Sequence, residues 1–432
     1  MVDLLAIKMI RFKNLAKLLK RGITNKYSKG IGWLFVGQFV SLFFSFAVGL
    51  TVARYLGPEE YGILSYALSF AGIFTFIASL GADGIISREL AKNDGDESEV
   101  LGTGLLLKIA GSIFASLLCC LILFLVPDKQ GYRYFVLWSI PVILFQFSNI
   151  FNLWFQARIL SKWISLSQIG SIVLLAIIKV SLVVFDAPVR FLILAYSLDI
   201  VFWAMFGYCF YVLHGGLLNW RLSLKMLFNI LKESWLLMLS SASCILLFKI
   251  DQVMVGQMLG KLASGYYAVA VKLSEVWYFL PVLISNSVLP ALINGQKNSW
   301  LVYRRRKFWL LMLLLSFSLL FSIFMLFFAK QLIGLLFGNQ FLPATPIAKI
   351  YAWSSIGMFL GTGLWVSLVS EAKNKIIFMA YLSALILNIY LNVILIPIIG
   401  LSGAAWATVI SYSLVPMILL LPGLSHKKIF NQ

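Results

Sequence analysis

The sequence predicts an all-α integral membrane protein with about twelve transmembrane helices in two parallel repeats of six helices. Composition is the first reason: 61% of the 432 residues are hydrophobic and only 12% are charged, which is unlike a soluble domain. Apolar runs of about eighteen to twenty-five residues also recur along the chain, and each can cross roughly 30 Å of hydrocarbon as a helix. Finally, the turn sequence at 55–62 is echoed at 258–266, which indicates that one unit is repeated.

Residues 1–30 form a basic segment that we place on the cytoplasmic side. The segment carries eight basic residues and one acidic residue, Asp3. Its apolar residues recur at helical spacing, which favours a helix on the surface of an anionic leaflet. A basic tail that only sets the orientation of the chain is an equal alternative. The segment is not a cleavable signal, because the apolar run at 31–53 is too long for one.

Twelve predicted spans follow this segment. The first six form an N-lobe, residues 31–213, and lie at about 31–53, 63–80, 103–127, 134–153, 165–185 and 191–213. The second six form a C-lobe, residues 235–421, and lie at about 235–258, 264–287, 308–328, 346–370, 376–396 and 400–421. A cytoplasmic linker, 214–234, joins the lobes, and a short cytoplasmic tail, 422–432, ends the sequence. Because six is an even number, both lobes enter the membrane in the same sense.

The distribution of basic residues predicts the orientation. The segments predicted to be inside hold 24 of the 35 Lys and Arg residues, the outside loops hold six, and the spans hold five. The strongest single anchor is the run Arg304-Arg305-Arg306-Lys307. By the positive-inside rule, both termini are cytoplasmic.

The composition argues against several other classes of protein. The net charge of +19 does not indicate a nucleic-acid partner, because the basic residues lie between apolar runs and not on a polar domain. The four cysteines fall inside predicted spans, so we expect neither a disulfide framework nor a metal site. The short loops leave no room for a catalytic domain. We therefore predict no cofactor, no metal and no enzymatic activity.

Ionisable side chains inside the spans are the candidate functional residues, since each costs about 2.5 to 3.5 kcal/mol on insertion scales. They are Lys108, Lys179, Asp199, Lys249, Asp251, Lys272, Glu275 and Lys349. Lys108 and Lys349 lie near span ends, where a long side chain can reach the interface. Lys272 and Glu275 are three residues apart and can pair on one helix. Lys249 and Asp251 are two residues apart, point to nearly opposite sides and need other partners.

Six short motifs are spread along the chain. They are Ala53-Arg-Tyr-Leu-Gly-Pro-Glu-Glu-Tyr-Gly62, Gly81-Ala-Asp-Gly-Ile-Ile-Ser-Arg-Glu-Leu90, Trp154-Phe-Gln-Ala157, Ile250-Asp-Gln-Val-Met-Val-Gly256, Leu336-Phe-Gly-Asn-Gln-Phe341 and Ile399-Gly-Leu-Ser-Gly-Ala-Ala-Trp406. In order and spacing they resemble the bacterial polysaccharide-unit flippases, the Wzx type of O-antigen transporter. This likeness runs from about residue 30 to 420. The wider superfamily includes the lipid II flippases and the MATE drug exporters.

The resemblance implies a V-shaped, MATE-like bundle with a central cavity. It implies that the protein carries undecaprenyl-pyrophosphate-linked sugar units, of the O-antigen or capsule type, to the outer leaflet of the bacterial inner membrane. It implies no covalent chemistry, so no catalytic residues are expected. The implied partners are the lipid-linked oligosaccharide, the bilayer, and a polysaccharide polymerase with its chain-length proteins.

For such a substrate the lysines inside the spans have two interpretations. They form a cationic patch that holds the pyrophosphate or acidic sugars, or they belong to a purely structural network of ion pairs. The candidate substrate-binding residues are Arg54, Arg88, Lys179, Lys249 and Lys272. Intramembrane carboxyl groups often mark ion and proton pathways. The candidates for ion or proton coupling are Asp199, Asp251 and Glu275.

Two alternative functions stay open at this point. A MATE-like exporter of organic cations would be favoured by an acidic cavity, but the span lysines at least match the acids in number. A membrane glycosyltransferase or polymerase would need larger outside loops with paired carboxylates. Apart from Glu59 and Glu60, the predicted outside loops contain no such pair.

The predicted orientation can be tested by cysteine labelling in intact cells. We expect a cysteine at Glu60 to react with a membrane-impermeant reagent from outside, and a cysteine at Arg305 to react only after the membrane is permeabilised. Equal labelling of both positions from outside would contradict the topology.

Overall fold

The computed structural model describes residues 26–92, 97–216, 220–371 and 373–425. Most of the predicted basic segment, residues 1–25, and the end of the predicted tail, residues 426–432, lie outside the described residues. Within the described ranges, the regular structure is helical throughout, which confirms the predicted all-α class.

Helices of unequal length build the first half of the chain. They are α1 (Lys26–Ile73), α2 (Thr75–Ser79), α3 (Asp83–Ala91), α4 (Glu97–Leu125), α5 (Arg133–Leu137), α6 (Pro141–Leu144), a 3-10 turn (Phe145–Asn149), α7 (Ile150–Ala157), α8 (Ser161–Val184), α9 (Val189–Ser197) and α10 (Asp199–Leu213).

The second half has longer helices. They are α11 (Leu224–Leu259), α12 (Lys261–Glu275), α13 (Phe279–Asn298), α14 (Trp300–Leu336), a 3-10 turn (Asn339–Ala344), α15 (Thr345–Tyr351), α16 (Ser354–Ser370), α17 (Asn374–Ile399) and α18 (Leu401–Ser425).

Ten of the described helical segments are long and apolar enough to cross a membrane, and one bent pair, Asn339–Tyr351 with Ser354–Val369, makes an eleventh. The first of these segments holds two crossings. Its main helix, α1, has 48 residues and would extend about 70 Å if straight, more than twice the thickness of the hydrocarbon. The helix breaks at Gly57, where φ is +69° and Pro58 follows. The predicted number of about twelve spans is therefore confirmed.

The parts of α1 before and after this break contact different elements. Before it, Ser165 donates a hydrogen bond to Trp33 O at 2.7 Å, and Tyr55 donates to Ala187 O at 3.0 Å. Both ends of α8 therefore lie beside the first crossing, which is the part of α1 before Gly57. After the break, Tyr66 stacks on Tyr132, with ring centres 3.8 Å apart. We call the side of Gly57 the outer side and the opposite side the inner side, following the predicted topology.

Backbone meets backbone where the two halves join on the outer side. A Cβ on Gly62 would lie 2.0 Å from Lys261 O, and a Cβ on Gly265 would lie 1.8 Å from Pro58 O. Ser264 adds a hydrogen bond to Gly62 O at 3.1 Å. We call these five residues the outer contact. It joins the two turns that echo one another in the sequence, and only residues without a side chain permit so close an approach.

Arg54 reinforces the outer contact from its edge. Its Nε donates to Leu336 O at 2.7 Å, and its Nη2 donates to Leu335 O. Gln340 returns a hydrogen bond to Arg54 O at 3.1 Å. Leu335 and Leu336 end α14, where carbonyl groups lack helical partners and the helix dipole favours a cation. Arg54 therefore connects the first half of the chain to the C-terminal end of α14.

The inner side is organised around α11. This helix begins at Leu224, where Ser223 Oγ accepts from Met226 N at 3.3 Å and so caps it. The second part of the predicted linker is therefore continuous with the seventh span. A Cβ on Gly81 would lie 2.5 Å from Met238 N, so α11 packs directly on the first half of the chain around Met238.

The hydrophobic clusters also differ between the outer side and the inner side. The largest cluster contains residues from both halves, including Val52, Tyr66, Val269 and Phe341. The cluster around Trp154 lies mainly in the first half and also takes in the beginning of α11, whereas the clusters around Leu247 and Leu314 lie within the second half. The apolar core thus joins the halves mainly around the outer contact.

Closure of the outer contact depends on the missing side chain at Gly265. We expect Gly265→Ala to lower the free energy of unfolding by about 1 to 3 kcal/mol, because its Cβ would overlap Pro58 O. The same change should increase labelling of a cysteine at Ser65 from the outer side. Gly72→Ala in α1 is the control, since nothing lies within 4 Å of a Cβ there. If Gly265→Ala and Gly72→Ala gave the same stability and the same labelling, the close approach of the two backbones would not be needed to keep the outer contact closed.

Candidate functional site

A cavity of about 180 Å³ lies between the two halves of the chain, inward from the outer contact. Its lining is unusually polar for the interior of a membrane protein. The first half contributes Tyr61, Ser65, Leu68, Ser69 and Tyr196, and the second half contributes Phe248, Lys249, Asp251, Gln252, Tyr267, Ala268, Val271, Lys272, Glu275 and Tyr351. We call this space the central cavity.

One helical hairpin supplies all four charged residues of the lining. Lys249 and Asp251 lie on α11, and Lys272 and Glu275 lie on α12. The two helices meet at Gly260, whose φ of +90° allows the chain to turn with no intervening loop. This sharp turn brings residues that are about twenty positions apart in the sequence to the same space.

Asp251 is the most enclosed of the four, with 4% of its surface exposed. Its carboxylate accepts hydrogen bonds from Asn392 at 2.7 Å, from Tyr267 at 3.2 Å and from Thr408. Asn392 also donates to Asn388 Oδ1 at 3.0 Å. All of these donors are neutral, and no cationic side chain lies within 4.0 Å of Asp251 in the described part of the chain. Among these residues the carboxyl group is thus held by neutral hydrogen bonds and not by an ion pair.

Lys249, Lys272 and Glu275 are half-buried around the same cavity. Among the described residues, no ion pair within 4.0 Å joins either lysine to a carboxylate. The pairing of Lys272 with Glu275 that their spacing permits is therefore not formed as a direct contact. The Lys272 ammonium instead approaches α1, 3.4 Å from where a Cβ on Gly49 would lie. Both ammonium groups remain available to an anion in the cavity.

Lys179 and Asp199 lie one layer behind the cavity wall. Lys179 is 7% exposed, and its ammonium lies 3.6 Å from the ring centre of Tyr196, which does line the cavity. This is cation–π distance. Asp199 accepts a hydrogen bond from Ser171 at 3.0 Å. The structure thus brings Lys179 close to the predicted site without placing it on the surface of the cavity.

The two candidate arginines lie outside the cavity, at opposite ends of the molecule. Arg54 belongs to the edge of the outer contact. Arg88 is on the inner side, where it bonds Glu233 at 2.5 Å and Glu89 at 3.0 Å. Glu89 also accepts from Lys92, and these hydrogen bonds lower the pKa of the Glu89 carboxyl below its usual range. In this structure each arginine joins one half of the chain to the other.

The interpretation of Lys108 as a side chain that reaches the interface is wrong. Lys108 is 1% exposed and its ammonium pairs with Asp83 of α3. Asn149 donates a second hydrogen bond to Asp83 at 3.2 Å. Asp83 keeps about 40% of its side chain exposed, so it brings partial hydration to an otherwise buried lysine.

Sequence reasoning missed the neutral part of the site. Asn388 and Asn392 surround Asp251 from α17, Thr408 does so from α18, and tyrosines form much of the cavity wall. A scan for charged residues cannot find these groups. One signal was present, because two asparagines four residues apart in an apolar span lie on the same helix face.

Together these features define a class: a multi-pass α-helical membrane protein whose two halves meet on the outer and the inner side of a polar, charged cavity. Residues 27–296, more than half of the chain, match the family described as "Polysaccharide biosynthesis protein". The chain belongs to this family.

Individual relatives agree with the fold over nearly the whole chain. A membrane protein of Methanocaldococcus jannaschii, described as uncharacterized, is 26% identical in an alignment 411 residues long that covers 90% of this chain and 92% of that protein. The lipid II flippase MurJ in an inward closed conformation superposes with a TM-score of 0.72 at 16% identity, covering 91% of this chain and 87% of MurJ. An inward-facing multidrug resistance MATE transporter gives 0.70 at 14% identity, covering 91% and 97%. These likenesses show a MATE-like fold.

The two environments of buried lysines predict opposite effects on stability. Lys108→Ala leaves Asp83 without its cation, and we expect the free energy of unfolding to fall by about 1 to 3 kcal/mol. Lys249→Ala removes a cation with no acid in contact, so we expect thermal stability and membrane abundance to be unchanged or higher. An equal loss of stability in both variants would show that Lys249 has a structural partner.

Proposed function

We propose that this protein is an alternating-access flippase for lipid-linked oligosaccharides. It moves undecaprenyl-pyrophosphate-linked sugar units of the O-antigen or capsule type from the cytoplasmic to the outer leaflet of a bacterial inner membrane. Both of its termini are cytoplasmic in this proposal. It performs no covalent chemistry, and its partners are the lipid-linked substrate, the bilayer, and a polysaccharide polymerase with chain-length proteins.

The observation that carries the proposal is the pair of lysines in the central cavity that make no direct ion pair with the described carboxylates. Lys249 and Lys272 line a cavity between two halves that are in contact on the outer side. An anion in this space would replace the water that the two ammonium groups lose on burial. A lysine is a point charge on a flexible stem, which suits a mobile phosphate group better than a rigid clamp does. Membership in a polysaccharide biosynthesis family supports a sugar-linked anion as the cargo.

The tyrosines of the cavity suit the sugar part of this cargo. Tyr61, Tyr196, Tyr267 and Tyr351 contribute aromatic faces and hydroxyl groups to one wall or another. An aromatic side chain offers an apolar face with a polar tip, so it can contact both the rings and the hydroxyl groups of a sugar. The Lys179 ammonium contacts the ring of Tyr196 without lining the cavity itself. It therefore adds positive charge next to the site through Tyr196. In this proposal Arg54 and Arg88 act on the two ends of the pathway and do not bind the cargo in the cavity.

Asp251 is the residue we propose for ion or proton coupling. A buried carboxylate that has only neutral donors is favourable only if a proton or a small cation can join it. Asn392 Oδ1, beside it, is buried and has no hydrogen-bond partner among the described residues. An oxygen of this kind suits a monovalent cation. Glu275 faces both cavity lysines and is a second candidate, while Asp199 is held by Ser171 behind the wall.

The alternative functions differ in what they require of the cavity. An exporter of organic cations requires an excess of negative charge, whereas the lining contains two lysines and two acids, with Asp251 already surrounded by donors. A glycosyltransferase or polymerase requires an external donor site. The flippase therefore remains the function that the site supports best.

Reconstituted vesicles test this proposal directly. We expect the purified protein to move a fluorescent undecaprenyl-pyrophosphate-linked oligosaccharide between leaflets, measured by its accessibility to a membrane-impermeant quencher. Lys249→Ala should reduce the rate at least tenfold, and Lys249→Arg should retain most of it because the charge is preserved. Asp251→Asn should remove any acceleration by an imposed proton or Na⁺ gradient.

The matched control is Lys330→Ala, which removes an exposed lysine near the outer end of α14. It should transport the substrate at the wild-type rate. Full activity of Lys249→Ala at normal abundance would remove Lys249 from the site. Uptake of organic cations without movement of the oligosaccharide would favour the exporter, and transfer of sugar to the carrier would favour the enzyme.

A further inference from the structure

A long stretch of the second half of the chain contains no acidic residue. Between Glu275 and Glu371, the 95 residues from Val276 to Ser370 include seven Lys and Arg but neither Asp nor Glu. Four of the seven are consecutive, Arg304 to Lys307, and lie in the first two turns of α14. The local sequence therefore offers this cluster no partner of opposite charge.

Partners from other elements compensate only one of the four. Lys307 lies near Glu371, whose carboxyl also bonds Lys373 at 2.6 Å and Tyr303 at 2.5 Å. Burial raises the pKa of Glu371, but these bonds and the two lysine charges outweigh it, so that the pKa lies below its usual range. Among the described residues, no carboxylate lies within 4.0 Å of Arg304, Arg305 or Arg306.

Two of the arginines stand at the end of an apolar groove between α13 and α14. The groove encloses about 530 Å³ and is lined by Ile284, Val288, Val302, Arg305, Arg306, Trp309, Leu310 and Leu313. Its walls are apolar except for the guanidinium groups. Arg306 is fixed in place because its Nη1 donates to Ala291 O in the second half of α13.

The position of Trp309 indicates that the groove faces lipid at the membrane interface. Its side chain is 62% exposed, directly below the arginines, and Leu313 one turn further along is 44% exposed. Tryptophan next to basic residues at the start of a long apolar helix is typical of the boundary between headgroups and hydrocarbon. The groove thus runs from a cationic mouth at the predicted cytoplasmic interface into the hydrocarbon.

We propose that this groove binds one acidic phospholipid of the leaflet predicted to be cytoplasmic. The phosphate lies against Arg305 and Arg306, because guanidinium groups match phosphate oxygens with paired hydrogen bonds. An acyl chain lies along Ile284, Val288 and Leu313, where it covers apolar surface of both helices. Basic pockets between transmembrane helices on the cytoplasmic side are suited to such lipids. The bound lipid joins α13 to α14 and supplies the negative charge that the sequence lacks.

Binding can be measured on the full-length purified protein by thermal stability during titration with phosphatidylglycerol. Phosphatidylcholine with the same acyl chains tests the headgroup charge, and inorganic phosphate tests whether the lipid chain is needed. We expect phosphatidylglycerol to raise the melting temperature, and phosphatidylcholine and inorganic phosphate not to raise it. In the double variant Arg305→Gln/Arg306→Gln, its apparent affinity should fall by roughly 30-fold, which is about the contribution of two charges near a membrane surface.

Two matched variants separate the groove from the charge cluster as a whole. Arg304→Gln removes an exposed arginine of the same cluster that does not line the groove, and it should change the affinity less than threefold. Val288→Trp fills the groove while keeping every charge, and it should weaken binding as much as the double variant. Native mass spectrometry of the lipid that remains bound gives a second readout if a variant melts early.

The proposal would be overturned by any of three results. Wild-type affinity in the double variant would show that the arginines only set the orientation of the chain. An equal shift with phosphatidylcholine would show non-specific solvation. The same shift with inorganic phosphate would reveal an anion site without a lipid groove.

Discussion

The cost of placing charge inside a bilayer governs this structure. Each ionisable group within the spans must be paired, hydrated or bound to something that enters and leaves. The structure meets this requirement in a different way in each region. Lys108 pairs with a partly exposed aspartate, Lys179 lies on a tyrosine ring, and Asp251 collects neutral donors. Among the described residues, neither Lys249 nor Lys272 has a carboxylate within 4.0 Å, so the central cavity is the place where an anionic cargo would contribute most.

Much of the fold follows from the sequence because hydrophobic length and charge asymmetry are local properties. The spans of the first half could be placed to within about six residues, whereas α14 extends eight residues beyond its predicted span at each end. The break at Gly57 was marked by the Gly-Pro pair. The bent segment between Asn339 and Val369 was harder to place, since its two parts are each too short to cross alone. The continuation of the linker into α11 was also hidden, because a polar helix that packs on another lobe has the same composition as a loop.

The candidate site could be predicted only in part. Intramembrane charges at Lys249, Asp251, Lys272 and Glu275 identified the hairpin that lines the cavity. Which of them lack partners could not be predicted, since that depends on residues far away in the sequence. Asp251 is about 140 residues from Asn392, and Lys108 is 25 residues from Asp83. Arg54 and Arg88 were grouped with the lysines by charge alone, whereas tertiary packing assigns them to the junctions between the halves.

A short chain of hydrogen bonds connects the cavity with the outer contact. Gln252, which lines the cavity next to Asp251, donates to Ser264 O at 2.9 Å and to Ser264 Oγ at 2.7 Å. Ser264 in turn donates to Gly62 O in the other half of the chain at 3.1 Å. Because Gln252 and Asp251 are neighbours on one helix, a rotation of α11 that changes the donors around Asp251 also moves the amide that positions Ser264. In the coupling role proposed for Asp251, a proton or cation bound there and a separation of the halves at Gly62 would act on the same few atoms, which would link occupancy of the site to opening of the outer side.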